Sequence, residues 1–300
     1  MSENKKVFFI INKYSGTGYR PGVERQIRTA CETRNIECAI EFTKQRGHAT
    51  DLARKAILQN ADAVFAVGGD GTVNEVAMAM LHGDTPMGIL PRGSGNGLAR
   101  HLGIPMSLGK SLEMISSNRS ILMDTVLLNN QLSVNVAGIG FDGHVAGLFG
   151  KEGKRGLIGY SILAIREFFA YKEFEAELIL DGNPIRRSAF IIALANSCQF
   201  GNNARIAPNA SVRDHLVEVC LIRKTPLAQV IGFTYKMFTG CIDRSALVEI
   251  KQAKKVTFQF SSPMAYHIDG ESMESCSQFT IEVQPASLKM IVPEHSKRRF

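Results

Sequence analysis

A chain of 300 residues, 45% hydrophobic and 21% charged, is long enough for about two globular domains and is neither disordered nor fibrous in composition. Its net charge of +7 is spread along the chain, with small clusters at Lys154–Arg155 and Lys297–Arg299. No stripe of basic and stacking aromatic residues marks a nucleic-acid binder, so the charge suits nucleotide-like anions or an anionic membrane surface. The six cysteines form no CxxC pair, which excludes a zinc cage of short spacing and predicts buried thiols in a reducing cytoplasm.

Residues 6–12 (KVFFIIN) form a short apolar run, too brief for a secretory signal and typical of a strand buried on both faces. No stretch approaches the ~18 apolar residues of a membrane-crossing helix, so a soluble, cytoplasmic protein is expected. Pro21 and Gly22 introduce a helix to about residue 34, and 37–43 reads as a second strand. A helix over 48–59, a third strand over 63–67, a helix over 72–81 and a fourth strand over 87–90 follow, and a further helix starts at 95–101. Strands alternating with helices predict a parallel, doubly wound sheet.

The pattern changes near residue 120. Strand-like runs at 122–128 and 132–137 flank Asn129-Asn130-Gln131, and runs at 175–180 and 185–195 flank Asp181-Gly182-Asn183-Pro184. Further runs at 216–222, 256–260, 265–269, 279–283 and 288–292 complete an antiparallel sandwich or partial barrel. Helical inserts at 158–171 and 227–239 interrupt it. The expected domains are 1–120, α/β and nucleotide-binding, and 121–300, β-rich and acceptor-binding, with the last strand returning to the first domain.

Gly68-Gly69-Asp70-Gly71-Thr72 sits at a strand-to-helix turn, where glycines admit a ligand close to the backbone and the helix amides attract an anion. An aspartate there would repel phosphate, so the motif implies phosphate together with a hard cation facing Asp70; a plain turn capped by Thr72 is the alternative. Asn12-Lys13-Tyr14-Ser15-Gly16-Thr17-Gly18 follows the first strand and is neither a Walker loop nor a dinucleotide fingerprint, since Pro21 stands where the third glycine belongs. Pro91-Arg92-Gly93-Ser94-Gly95-Asn96 follows the fourth. Three such loops at one sheet edge make a nucleotide pocket, with Arg92 and Arg100 as phosphate candidates or, equally, partners in surface salt bridges. The histidines form no ligand cluster, and His48 and His101 read as caps or surface residues. On their own, Asp269-Gly270-Glu271 is a hairpin turn with two solvated acids and Gly140-Phe141-Asp142-Gly143 a plain turn.

In order along the chain, these motifs resemble the soluble diacylglycerol kinase and sphingosine kinase family. Gly68 to Thr72 with Asn74 is one block, and Leu90-Pro91 with Gly93-Ser94-Gly95-Asn96 and Leu98-Ala99 the next. Gly138-Ile139-Gly140-Phe141-Asp142 and Asp269-Gly270-Glu271 follow, and the likeness spans 12–293. It implies an NAD kinase- and phosphofructokinase-like α/β domain followed by an antiparallel β-sandwich, working on ATP and Mg²⁺ in the cleft between two domains. The acceptor it implies is a lipid hydroxyl, diacylglycerol or sphingoid, met at a membrane surface, and a homodimer is compatible with it. ATP contacts carried over are Asn12, Lys13, Tyr14, Ser15, Gly16, Thr43, Gly68, Gly69, Asp70, Gly71, Thr72, Val73, Asn74, Glu75, Ser94 and Asn96. Asp70 would hold the catalytic Mg²⁺ through water, Glu271 with Asp269 would supply the general base, and Asp142 would meet the acceptor's polar head. Ser211, Asp214 and Leu216 resemble a structural Mg²⁺ site, with His215 where the family carries glycine. Two rivals stand: a kinase of a soluble acceptor such as NAD, and a non-catalytic nucleotide or lipid sensor.

Overall fold

The computed structural model describes residues 5–16, 22–152 and 157–294, so Thr17, Gly18 and Pro21 of the first glycine turn lie outside the described residues, as do Lys154, Arg155, Lys297, Arg298 and Arg299. The chain forms two compact units, residues 1–123 with 286–300 and residues 124–285.

In the first unit β1 (Lys6–Ile11), α1 (Gly22–Glu32), β2 (Glu37–Phe42), α2 (His48–Leu58), β3 (Ala63–Gly68), α3 (Asp70–Met80) and β4 (Met87–Pro91) follow in order, then the short helices α4 (Gly97–His101) and α5 (Leu108–Ser111). The strands pair in parallel in the order β2-β1-β3-β4. β3 and β4 are buried throughout and β1 nearly so, as continuous apolar runs require when helices cover both faces. Phe9 stacks on Phe65, its register partner across β1 and β3, with centroids 5.4 Å apart. Because β2 and β3 lie on opposite sides of β1, the loops after β1 and β3 leave the carboxyl edge at the topological switch point, where sheets of this kind open a crevice.

The second unit is β-rich. In chain order it contains β5 (Ser120–Leu128), which begins in the first unit, then β6 (Gln131–Ser133), β7 (Val136–Gly140), α6 (Phe141–Glu152), α7 (Leu157–Ala170), β8 (Phe174–Leu180), β9 (Asn183–Ala189) and β10 (Ile191–Ala195). The small pair β11 (Gln199–Gly201) and β12 (Ala204–Arg205) leads to β13 (Val217–Ile222), α8 (Val230–Thr239), β14 (Val248–Ala253), β15 (Lys255–Met264), β16 (Tyr266–Ile268), β17 (Glu271–Ser272) and β18 (Cys276–Ile291). One antiparallel sheet runs β14-β13-β10-β7-β16-β17 and another runs β18-β15-β8-β9. Ile139, Leu194 and Val219 of the first share one buried cluster with Leu178, Phe258 and Phe279 of the second. This is a β-sandwich. From Ala286 (φ 48°) onward β18 belongs to the first unit, where Met290 pairs in parallel with Met87.

Several elements differ from the sequence reading, each for a local reason. The run 132–137 divides into β6 and β7 because Ser133, Val134 and Asn135 all bond one carboxylate, that of Asp269. The run 185–195 divides at Phe190, whose amide donates to Ile222 O at 2.7 Å while its ring joins Phe141, Val145 and Leu163 in a core. Residues 279–283 and 288–292 are one strand rather than two. The turn expected at Gly140–Gly143 is the start of α6, whose Phe141 and Val145 enter that same core. β14 was not anticipated. His101, expected at the surface, is buried. All six cysteines are free, but only Cys31, Cys198 and Cys220 are buried; Cys38, Cys241 and Cys276 are half-buried.

Candidate functional site

The three glycine loops do converge at the carboxyl edge of the parallel sheet. A Cβ on Gly69 would lie 3.0 Å from Gly93 Cα, and one on Gly93 would lie 2.4 Å from Gly69 Cα. The loops after β3 and β4 therefore pass at a distance that excludes any side chain. Gly16 (φ 63°) rests against the Arg92 carbonyl just as closely, which brings in the loop after β1. Arg92 N donates to Gly68 O at 2.7 Å and Asn12 N to Val67 O at 3.0 Å, extending the strand ladders into the loops.

Side chains lock this arrangement. Asn12 Nδ2 donates to Thr72 Oγ1 at 3.1 Å, and Asn12 Oδ1 accepts from Tyr14 N at 2.9 Å. Asn96, in the left-handed region at φ 52°, bonds both the amide and the carbonyl of Gly93. Asp70 is the first residue of α3, after Gly69 as N-cap, so Thr72 is not the cap. Its carboxylate accepts Asn96 N at 2.9 Å and Gly97 N at 2.8 Å, and so caps α4. Asp70 thus has a task besides the cation that the sequence implied: it holds the loop after β4. A carboxylate placed among loop amides at this sheet edge offers the hard oxygen that a water-held cation takes, so the arrangement fits such an ion.

Not every nucleotide-contact residue carried over from the family lies in this cluster. Glu75 accepts Gly47 N at 2.8 Å and Ala49 N at 3.0 Å, pinning the start of α2 to α3. Val73 is buried in the core and Thr43, also buried, continues the ladder by donating to Ile11 O. Lys13 Nζ sits 3.8 Å above the Phe42 ring, a cation–π contact. Tyr14 and Ser94 are exposed, while Ser15, Gly71 and Asn74 are half-buried.

In the second unit Asp142 and His267 form a buried pair, Oδ2 to Nε2 at 3.2 Å. Gly270 N donates to His267 Nδ1 at 3.2 Å, so the imidazole proton resides on Nε2 and is directed at Asp142. The pair sits directly over Gly138, where a Cβ would meet both side chains. Burial, and then the Asp142 charge, push the Tyr171 hydroxyl up to about 12. Asp269 and Gly270 (φ 50° and 87°) make the two-residue turn between β16 and β17. Asp269 is not solvated: it is buried and accepts Ser133 Oγ at 2.7 Å, Val134 N at 2.9 Å and Asn135 N at 3.0 Å. Its neighbour Glu271, half-buried, opens β17 opposite Ile268.

At the expected structural metal site, Ser211 Oγ accepts Arg213 N and Asp214 Oδ1 accepts Leu216 N. Burial, aided by nearby Asp124, pushes the Asp214 carboxyl up against the opposing Leu216 amide. His215 adopts φ 63° despite its side chain. Its amide and its Nδ1 both bond the fully buried Asp124, at 2.7 and 3.0 Å, which offsets the ~1–2 kcal/mol of the left-handed conformation. Sequence reading missed Asp124 and His267. Both act through partners more than ninety residues away, which no local motif signals. Among the described residues no group of three or more His, Cys, Asp and Glu is arranged to hold a metal ion.

Residues 6–128 match the diacylglycerol kinase catalytic domain, and residues 135–292 match the YegS C-terminal NAD kinase beta sandwich-like domain. The chain is 28% identical over 264 residues to a "Probable lipid kinase YegS-like" of Chromohalobacter salexigens, covering 86% of this chain and 85% of that one. It is 27% identical over 274 residues to the diacylglycerol kinase of Bacillus subtilis, covering 89% and 90%. The fold superposes on the crystal structure of a diacylglycerol kinase from Bacillus anthracis with a TM-score of 0.75 at 19% identity, covering 98% of this chain and 99% of the other.

Proposed function

The chain belongs to the lipid kinase family that joins a diacylglycerol kinase catalytic domain to a YegS C-terminal beta sandwich-like domain, and on that premise we propose that it transfers the γ-phosphoryl group of ATP to a hydroxyl of a lipid. The observation that carries this reading is the triple loop cluster at the switch point, in which Gly69 lies against Gly93 and Asp70 bonds the amides of Asn96 and Gly97.

Phosphoryl transfer needs positioning and charge stabilisation more than covalent chemistry. The loops Asn12–Gly16, Gly68–Thr72 and Arg92–Asn96 cradle the triphosphate, with the positive end of α3 behind Gly69 and Gly71. Asp70 would hold Mg²⁺, and that ion would supply the charge that neutralises the phosphates. The acceptor hydroxyl attacks the γ-phosphorus, the bond to the β–γ bridging oxygen breaks, and Glu271 takes the hydroxyl proton. Asp269 fixes the turn that carries Glu271. Asp142, oriented by His267, binds the polar head of the lipid. Ser211, Asp214 and the Leu216 carbonyl would hold a structural Mg²⁺ on exchanging their present bonds to the Arg213 and Leu216 amides, the positive φ of His215 keeping that turn in shape. Diacylglycerol is the first acceptor to try, since that is the named activity of the Bacillus subtilis relative.

Glu271→Gln keeps size and most hydrogen bonding but cannot take a proton. It should bind Mg-ATP as the wild type does, read as a thermal shift, and phosphorylate lipid at least about 10²-fold more slowly. Turnover within threefold of wild type would remove Glu271 from the chemistry.

A further inference from the structure

α8 is apolar on both sides, and only one of them has a use in the fold. Its inward residues Phe233 and Met237 pack against the cluster that includes Ala193, Cys220 and Ile242. On the opposite side Ile231 is 85% exposed, Tyr235 70% and Phe238 46%, and Leu227, in the turn that leads into the helix, is 68% exposed. The spacing of four, four and three residues puts these side chains in one stripe. No residue of α8 is buried. A surface helix normally turns polar residues outward, so four large apolar groups in a row mark a face awaiting something apolar.

The surroundings identify what. Residues 219–244 contain Arg223, Lys224, Lys236 and Arg244 against one acid, Asp243. At the far end the Arg205 side chain packs against the backbone of Gly240, which caps α8. Lys236 Nζ reaches the Arg244 carbonyl at 3.1 Å, keeping two of these basic residues together. Some of the charge is spent locally, since Arg223 lies 3.8 Å from Glu173. At the near end Lys224 Nζ donates to the carbonyls of Tyr171 at 2.6 Å and Phe169 at 3.4 Å. That bond ties the root of α8 to the end of α7, which has its own exposed apolar residues, Ile162, Ile165 and Phe169, at 64%, 65% and 65%. Phe168 and Tyr171 of the same segment pack inward, and these three do not.

We infer that the outer face of α8 (Leu227, Ile231, Tyr235 and Phe238) inserts into the interface of an anionic phospholipid bilayer, with the basic residues at its two ends resting on the headgroups. An apolar stripe with a cationic rim is the pattern of a helix lying in a membrane surface. A second copy of this chain fits less well: two-fold pairing would set the cationic rim against itself, and four side chains cover far less than the ~800 Å² per partner of a stable interface. The inference rests on the proposal that the acceptor is a lipid, and it gives the enzyme a way to reach it.

The test uses the full chain and large vesicles of phosphatidylcholine alone or with phosphatidylglycerol, sedimented without ATP or acceptor. Wild type should bind the anionic vesicles, less the neutral ones. Ile231→Glu with Tyr235→Glu should lower the partition coefficient at least about tenfold, and the milder Ile231→Gln severalfold, with unchanged melting temperatures because the sites are exposed. On a short-chain diacylglycerol presented as monomers, the same variants should turn over like wild type. Equal vesicle binding by wild type and both variants would overturn the inference, as would a concentration-dependent dimer that Ile231→Glu dissolves while vesicle binding persists. Vesicle binding that is lost in the variants, with no phosphorylation of any lipid, would instead sink the kinase proposal and leave the docking face standing.

Discussion

Asp269→Ala should destabilise the protein by about 3–9 kcal/mol, far more than a turn residue ordinarily would. The carboxylate receives three hydrogen bonds in a buried setting, from Ser133 Oγ, Val134 N and Asn135 N. Truncation leaves two backbone amides and a hydroxyl without their acceptor, at about 1–3 kcal/mol for each buried group. Asp269→Asn keeps one oxygen for Ser133 and Asn135 and turns its amide group toward the Val134 amide, a donor, so it should cost about half as much. At roughly 2–4 °C per kcal/mol for a domain of this size, the alanine variant should melt about 6 °C or more below wild type. Urea and thermal unfolding followed by circular dichroism measure both. Since Glu271 lies two residues on, both variants should also lose lipid phosphorylation more than their folded fraction explains. A loss of stability below about 1 kcal/mol for Asp269→Ala would refute the role of this carboxylate as the anchor of the turn.

Asp70→Ala removes two helix-cap bonds to α4, so turnover should fall by about 10² or more and stability by about 1–2 kcal/mol; activity and melting curves measure the two, and near-normal turnover would remove Asp70 from the site. Glu218, buried in β13, has its carboxyl pushed up by burial, with Gln252 opposing and Asp214 adding. The folded chain therefore holds this proton longer than the unfolded one, and stability falls as pH rises above the ordinary glutamate value of 4.5. Glu218→Gln should be more stable than wild type in urea at pH 7, with the difference shrinking toward pH 4. Mg-ATP should raise the melting temperature by mass action and NAD should not; phosphorylation of NAD would hand the function to the soluble-acceptor reading.

The first unit was largely legible in the sequence because its physics is local. A strand buried on both faces is a run of apolar residues, and loops that approach each other closely at its end are runs of glycines, so β1, β3, β4 and their loops could be read directly. The tasks of the charged residues in those loops could not. Glu75 and Asp70 spend their carboxylates on amides 26 to 28 residues away. The sandwich was harder still. Residues 185–195 read as one strand, and nothing nearby reveals that Phe190 leaves one sheet for an aromatic core before the chain enters another. α6 carries a helical period in Phe141, Val145, Leu148 and Phe149, but Gly143, Gly147 and Gly150 hide it. Asp269-Gly270 announces its turn, whereas the three donors that bury Asp269 lie some 135 residues earlier, where only the fold brings them.

One measurement bears most directly on the proposed lipid kinase activity: the full chain incubated with γ-labelled ATP, Mg²⁺ and vesicles made from a total lipid extract, followed by separation of organic and aqueous phases. Label is expected in a phospholipid that appears with wild type and is absent with Glu271→Gln, although both bind Mg-ATP. Label that stays in the aqueous phase as a phosphorylated soluble acceptor, or an organic-phase product formed equally by Glu271→Gln, would contradict it.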